Sequence, residues 1–121
     1  MTIRRLKTYT GSQGHVYQYY FVGKRPAPTP GGHESDANEY IFDVSSDRKL
    51  TCAVSIVLSH QIVSAWAEAH GRPLADSEQY AAVKMRLFRA FDELEDMLAQ
   101  GRRLRIDLQS LEESLASLGV E

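Results

Sequence analysis

The chain is nearly devoid of sulfur chemistry: among its 121 residues there is a single cysteine, Cys52, so no intramolecular disulfide can form. A lone cysteine inside an apolar run reads as a small core residue in a protein built for a reducing compartment. Long hydrophobic runs are also missing, and no stretch approaches the length of a bilayer span. Met1 to Lys7 carries charge with no apolar segment behind it, unlike a signal peptide. These features lead to the expectation of a cytoplasmic protein with no membrane association.

The motifs that commit a chain to a reaction are absent as well. There is no P-loop, no G-x-S-x-G elbow, no H-E-x-x-H, no C-x-x-C and no G-x-G-x-x-G. Proline is sparse, and three of the four prolines fall between Pro26 and Pro30. Acidic residues are wholly missing from positions 1 to 25, which hold Arg4, Arg5, Lys7, Lys24 and Arg25. That segment is therefore +5 in a chain of net charge −2, leaving −7 for the remainder. Such asymmetry points to a surface with its own electrostatic role, or to a basic hairpin packed beside acidic helices.

What is present is ordinary globular material, with 43% hydrophobic and 25% charged residues. A chain of this length buries roughly two thirds of its unfolded surface and can build its own core. Ile3–Tyr9 and His15–Gly23 read as strands around a turn at Gly11 and Gly14. The second strand is apolar on both faces, with Val16, Tyr20 and Val22 on one and Tyr17, Tyr19 and Phe21 on the other. That pattern predicts a strand that is central in its sheet or covered on both sides. Pro26–Asn38 reads as a loop. Glu39–Val44 alternates, with Tyr40, Phe42 and Val44 directed inward, and Leu50–Leu58 places Leu50, Cys52, Val54, Ile56 and Leu58 on one face.

The period then changes. Ser59 is placed to cap a helix that ends at Gly71, and Trp66 lies on its apolar face. Asp76 with Gln79 resembles a capping box at the start of the longest helix, whose stripe runs Tyr80, Val83, Leu87, Phe91, Leu94 and Leu98 to a stop at Gly101. Arg103–Ile106 reads as a short strand. Asp107 caps a last helix bearing Leu108, Leu111, Leu115 and Leu118, closed by Gly119. Strands first and helices second give an α+β fold: an antiparallel sheet of about four strands packed against three C-terminal helices. The expectation is one domain over 1–121, strand-rich over 1–58 and helical over 59–121.

Two surfaces are candidates for function. The basic aromatic hairpin, with Arg4, Arg5, Lys7, Lys24 and Arg25 around its tyrosines, could take phosphates on its cations and stack bases on its rings. Alternatively His15, Tyr17, Tyr19 and His60 could line a pocket between sheet and helices if the fold brings the second strand near the first helix. Cys52 reads as structural and not as a nucleophile. His33, Glu34 and Asp36 in the loop, and the acidic run from Asp92 to Asp96, read as solvated surface, so neither metal nor cofactor is expected. The large apolar residues of the second strand and the long helix point to a small non-enzymatic binding or interaction protein that self-associates, most simply as a homodimer. A nucleic-acid binder and a small enzyme are the alternatives.

Overall fold

The computed structural model describes residues 6–12, 14–28, 36–46, 50–94 and 101–120. Within them the chain forms β1 (Lys7–Thr10), β2 (Val16–Pro26), β3 (Ala37–Ser46), β4 (Leu50–Ser59), α1 (His60–His70), α2 (Asp76–Glu93), β5 (Arg103–Arg105) and α3 (Leu108–Ser117). The five strands lie in sequence order β1-β2-β3-β4-β5. The first four form an antiparallel meander, and β5 adds to β4 in parallel, opposite Ser55–Val57. The sheet is thus mixed and has five strands, where the sequence suggested about four antiparallel ones. The short Arg103–Ile106 segment returns from a two-helix crossover, and such a return arrives parallel.

All three helices pack on one face of the sheet. Tyr40, Phe42 and Val44 of β3 and Val54, Ile56 and Leu58 of β4 share that face, as their registers require. They meet Trp66 of α1, Val83, Leu87, Ala90 and Phe91 of α2, and Leu111 and Leu115 of α3 in one continuous core. Cys52 lies at its margin, half-buried, and accepts a hydrogen bond from Arg102 at 3.1 Å. No helix of the described residues is long and apolar enough to cross a membrane.

The helix ends follow local chemistry. The Ser59 hydroxyl accepts from Gln61 N at 3.1 Å, and Gly71 adopts the left-handed conformation that ends α1. Asp107 accepts from Ser110 N at 2.7 Å to start α3. At α2 the cap sits one residue before the expected Asp76, at Ala75. Its partner is Glu78 rather than Gln79, because Ala75 has no acceptor of its own and Glu78 reaches back to the Ala75 amide at 2.9 Å. Arg72 holds that same carboxylate with both terminal nitrogens, each at 3.0 Å. The chain leaves helical geometry at Leu94 (φ −88°, ψ 126°), short of the expected run to Leu98, which lies outside the described residues.

β2 also differs from expectation. It continues to Pro26, and β3 starts at Ala37, so both strands extend into the segment read as a loop. Pro26 is tolerated at the last paired position, where no further donor is needed. A bulge between Phe21 and Gly23 shifts the register. β2 is nevertheless central, paired with β1 on one edge and β3 on the other, and the helices cover only one of its faces. Tyr17 and Tyr19 are buried beneath α2, whereas Val16, Phe21 and Val22 are exposed.

Candidate functional site

The sheet separates the basic residues of the N-terminal segment. Lys7 pairs with Tyr19 and so faces the helices. Lys24 pairs with Tyr40 and sets its Nζ 5.7 Å from that ring, also on the helical side. Arg25 pairs with Glu39 and belongs to the opposite face. Arg4 and Arg5 lie outside the described residues. The aromatic residues between them divide in the same manner. Tyr17 stacks on Phe91 at 4.3 Å, and Tyr19 meets Phe88 edge-on at 5.6 Å, so both rings are core. Phe21, 39% exposed, is the aromatic residue of β2 most open to solvent.

Of the histidines and tyrosines considered as pocket residues, His15, Tyr17 and Tyr19 lie near one another and His60 does not. His15 lies 6.3 Å from Tyr17, centroid to centroid. His60 stands at the other end of β3, where Ala37 pairs with Ser59 and the His60 amide donates to the Asp36 carbonyl. Tyr17 pairs with Ser46, so the length of β3, about 30 Å at 3.3 Å per residue, separates them.

The face away from the helices carries a charged centre that the sequence pattern did not reveal. Its cross-strand ladders run Arg25–Glu39–Val57–Arg105 and Gly23–Ile41–Ser55–Arg103. Glu39 is only 2% exposed, the one buried charged residue among those described. Ser55 donates its hydroxyl to Glu39 Oε1 at 2.7 Å, Arg25 donates to the same oxygen at 3.3 Å, and Arg103 stands 3.9 Å from Oε2. Burial alone would raise the carboxyl pKa. The bonds from Ser55 and Arg25 and the charges of Arg25 and Arg103 outweigh it, and the group is held below its ordinary value, hence ionised. One signal for this was in the alternation, which set Glu39 opposite Tyr40. The cross-strand partner of Glu39 on β4 is the buried Val57, which forms a small apolar cluster with Ala37 of β3 and Ala27 just after β2.

The rest of that face is more open. Tyr20 donates to Asp43 at 2.5 Å, with Ile41 and Ala53 beside them and Val16 beyond. On the helical side, the C-terminal end of α2 borders an open groove of about 480 Å³ lined by Tyr9, Phe88, Asp92, Glu113 and Ser117. Its best-placed carboxylate is already engaged, since Asp92 accepts from the Tyr9 hydroxyl at 2.8 Å and from Ser12 N at 3.0 Å. Among the described residues no three metal-ligating side chains converge. His33, Glu34, Glu95 and Asp96 fall outside them, and Glu93 pairs with Arg89 at 3.0 Å.

A third grouping joins strand and helix. Lys84 of α2 places its Nζ 5.9 Å from Tyr80 and 5.7 Å from Phe88, and its ammonium group lies against that of Lys7. Burial and the neighbouring Lys7 charge lower its pKa. Nothing in the sequence announced this pairing, because Lys84 belongs to an amphipathic helix whose placement over β1 is a tertiary fact. No family model, curated protein or solved structure matches the chain.

Proposed function

We propose that the protein is a small non-enzymatic binding module that pairs with a second copy of itself through the sheet face the helices leave open. The observation that carries this reading is the one-sided layering: Val16, Tyr20, Ile41 and Ala53 sit on a partly exposed face with no helix over them among the described residues. A second sheet packs at about 10 Å on such a face. Covering charge is normally costly. Here each carboxylate of the face already accepts a hydroxyl, Asp43 from Tyr20 and Glu39 from Ser55, so little polar bonding to water is lost on closure.

Native mass spectrometry and light scattering at tens of micromolar test it. The expected result is a dimer that Ile41→Glu and Ala53→Arg each convert to monomer, with circular dichroism unchanged. A monomeric wild-type protein at that concentration overturns the reading. A ligand mass retained in the same spectrum would redirect attention to that ligand.

A further inference from the structure

We propose that the β1–β2 edge on the helical side is a binding strip for single-stranded nucleic acid, in which Lys7, Lys84 and Lys24 take phosphates and Phe21 stacks a base. The strip is independent of the open sheet face and of self-association.

Three of the chain's four lysines gather here from three separate elements. Lys7 lies in β1 and Lys84 on α2, with Lys24 farther along β2. Lys7 pairs with Tyr19 and Lys24 with Tyr40, so the two are roughly 15 Å apart along the strand. Between them stand Phe21 and Tyr80, ring against ring at 5.0 Å in an edge-on arrangement. Phe21 is the exposed member. Aromatic residues flanked by flexible cations are the general form of single-strand platforms, because every base offers a face to stack.

The residue types separate this strip from the rest of the surface. Among the described arginines, Arg25 and Arg103 pair with Glu39, Arg72 with Glu78 and Arg89 with Glu93, while Arg86 donates to the Arg105 carbonyl and Arg102 to Cys52. Among the described residues Lys7, Lys24 and Lys84 pair with no carboxylate. A lysine laid over an aromatic ring is by itself a common way to cover apolar surface. That explanation accounts for Lys24 over Tyr40 and for Lys84 over Tyr80. It does not account for two lysines converging on one place: Lys7 stands beside Tyr19, whose ring meets Phe88 at 5.6 Å, and Lys84 sets its Nζ 5.7 Å from that same Phe88, so two like charges face each other there. A bridging phosphate turns that repulsion into two favourable contacts, as lysine does for phosphate generally.

The test is fluorescence anisotropy with the full chain and a fluorescein-labelled oligothymidylate of about a dozen nucleotides. Salt is varied between about 50 and 200 mM. Binding should weaken with a log–log slope of about −2, from three phosphates neutralised at about 0.7 each on a single strand. Lys7→Gln or Lys84→Gln should each make that slope shallower by about 0.7, with Lys84→Arg retaining binding. Phe21→Leu should weaken affinity roughly five-fold or more at an unchanged slope, since it removes stacking and leaves the charges. Thermal melting of each variant confirms that the fold is kept. No binding at about 50 mM salt overturns the proposal, as does a Lys7→Gln/Lys84→Gln double variant with unaltered affinity and slope. Capture by phosphatidylserine vesicles without binding of the oligonucleotide also overturns it.

Discussion

Ser55 and Glu39, diagonal neighbours on adjacent strands, are joined by a 2.7 Å hydrogen bond to a carboxylate that is 2% exposed. The two arginines that balance this charge keep about half of their side-chain surface in water, at 58% for Arg25 and 49% for Arg103. The interaction is therefore asymmetric: the anion is buried and the cations are not. Removing Glu39 lets both arginines hydrate, whereas removing the arginines strands a charge. Urea denaturation should therefore rank Arg25→Ala/Arg103→Ala as the more harmful change, by about 2–4 kcal/mol, with Glu39→Leu within about 1 kcal/mol of wild type. Equal losses would mean that the arginines act through packing alone.

The Arg72–Glu78 pair gives an acid-limb prediction. The two hydrogen bonds from Arg72 and the one from the Ala75 amide together hold the Glu78 carboxyl at about 2. A carboxyl lower in the folded state than in the unfolded chain stabilises the fold above the unfolded value near 4.3, and that contribution is lost as pH falls toward the folded one. Melting temperature should fall between about pH 5 and pH 2. Glu78→Gln should have a shallower decline over that range, though Glu39, also lowered, keeps part of it.

Tyrosines should govern the alkaline limb. Tyr19, Tyr40 and Tyr80 are held above the ordinary value by burial, and Tyr9 by burial and its bond to Asp92. The fold favours their protonated forms, so its stability is intact below about pH 10 and declines as the pH rises through their folded values. Ultraviolet titration should show phenolate appearing late and together with unfolding. Tyr9→Phe should cost about 1 kcal/mol at neutral pH through the lost hydrogen bond.

Gly11 is required by proximity. A methyl group there would stand 2.5 Å from the Phe91 carbonyl oxygen, which belongs to the backbone of α2 and cannot swing away. Gly11→Ala should cost about 1–3 kcal/mol by thermal denaturation. Gly23→Ala, with nothing within 4 Å of the new atom, should stay within about 0.5 kcal/mol of wild type.

These residues also mark where the sequence was legible. Ser59, Gly71 and Asp107 act on amides within a few positions of themselves, and the helix ends they define could be read directly. The alternation in β3 and β4 correctly gave the core face, because one side of the sheet meets all the helices. The pattern failed where distant segments decide. Phe21 keeps the face that alternation gives it, with Tyr17 and Tyr19, pairing with Phe42 and meeting Tyr80, yet it stays exposed where they are buried. Pro26 stays in the ladder because Asn38 is available to pair with it. For the candidate sites, Lys7, Lys24 and Arg25 were visible as a basic segment, but not their division between two faces. Lys84 and Glu39 acquire their meaning only when α2 lies over β1 and Arg103 returns beside Ser55.

That return of β5 has a consequence for biosynthesis. The meander β1–β4 can assemble from neighbouring segments, but the parallel partner of Ser55–Val57 emerges only after α1 and α2 have been made. Until then β4 is an unpaired edge bearing Val54, Ile56 and Val57, the kind of surface that recruits another strand. Until Arg103 arrives, Glu39 also has only one of its two cations. The three residues Arg103–Arg105 thus act as a closing seam. A ribosome stalled before them would present a nearly complete sheet with its stickiest side uncovered, and quality-control proteases would meet the chain in that state.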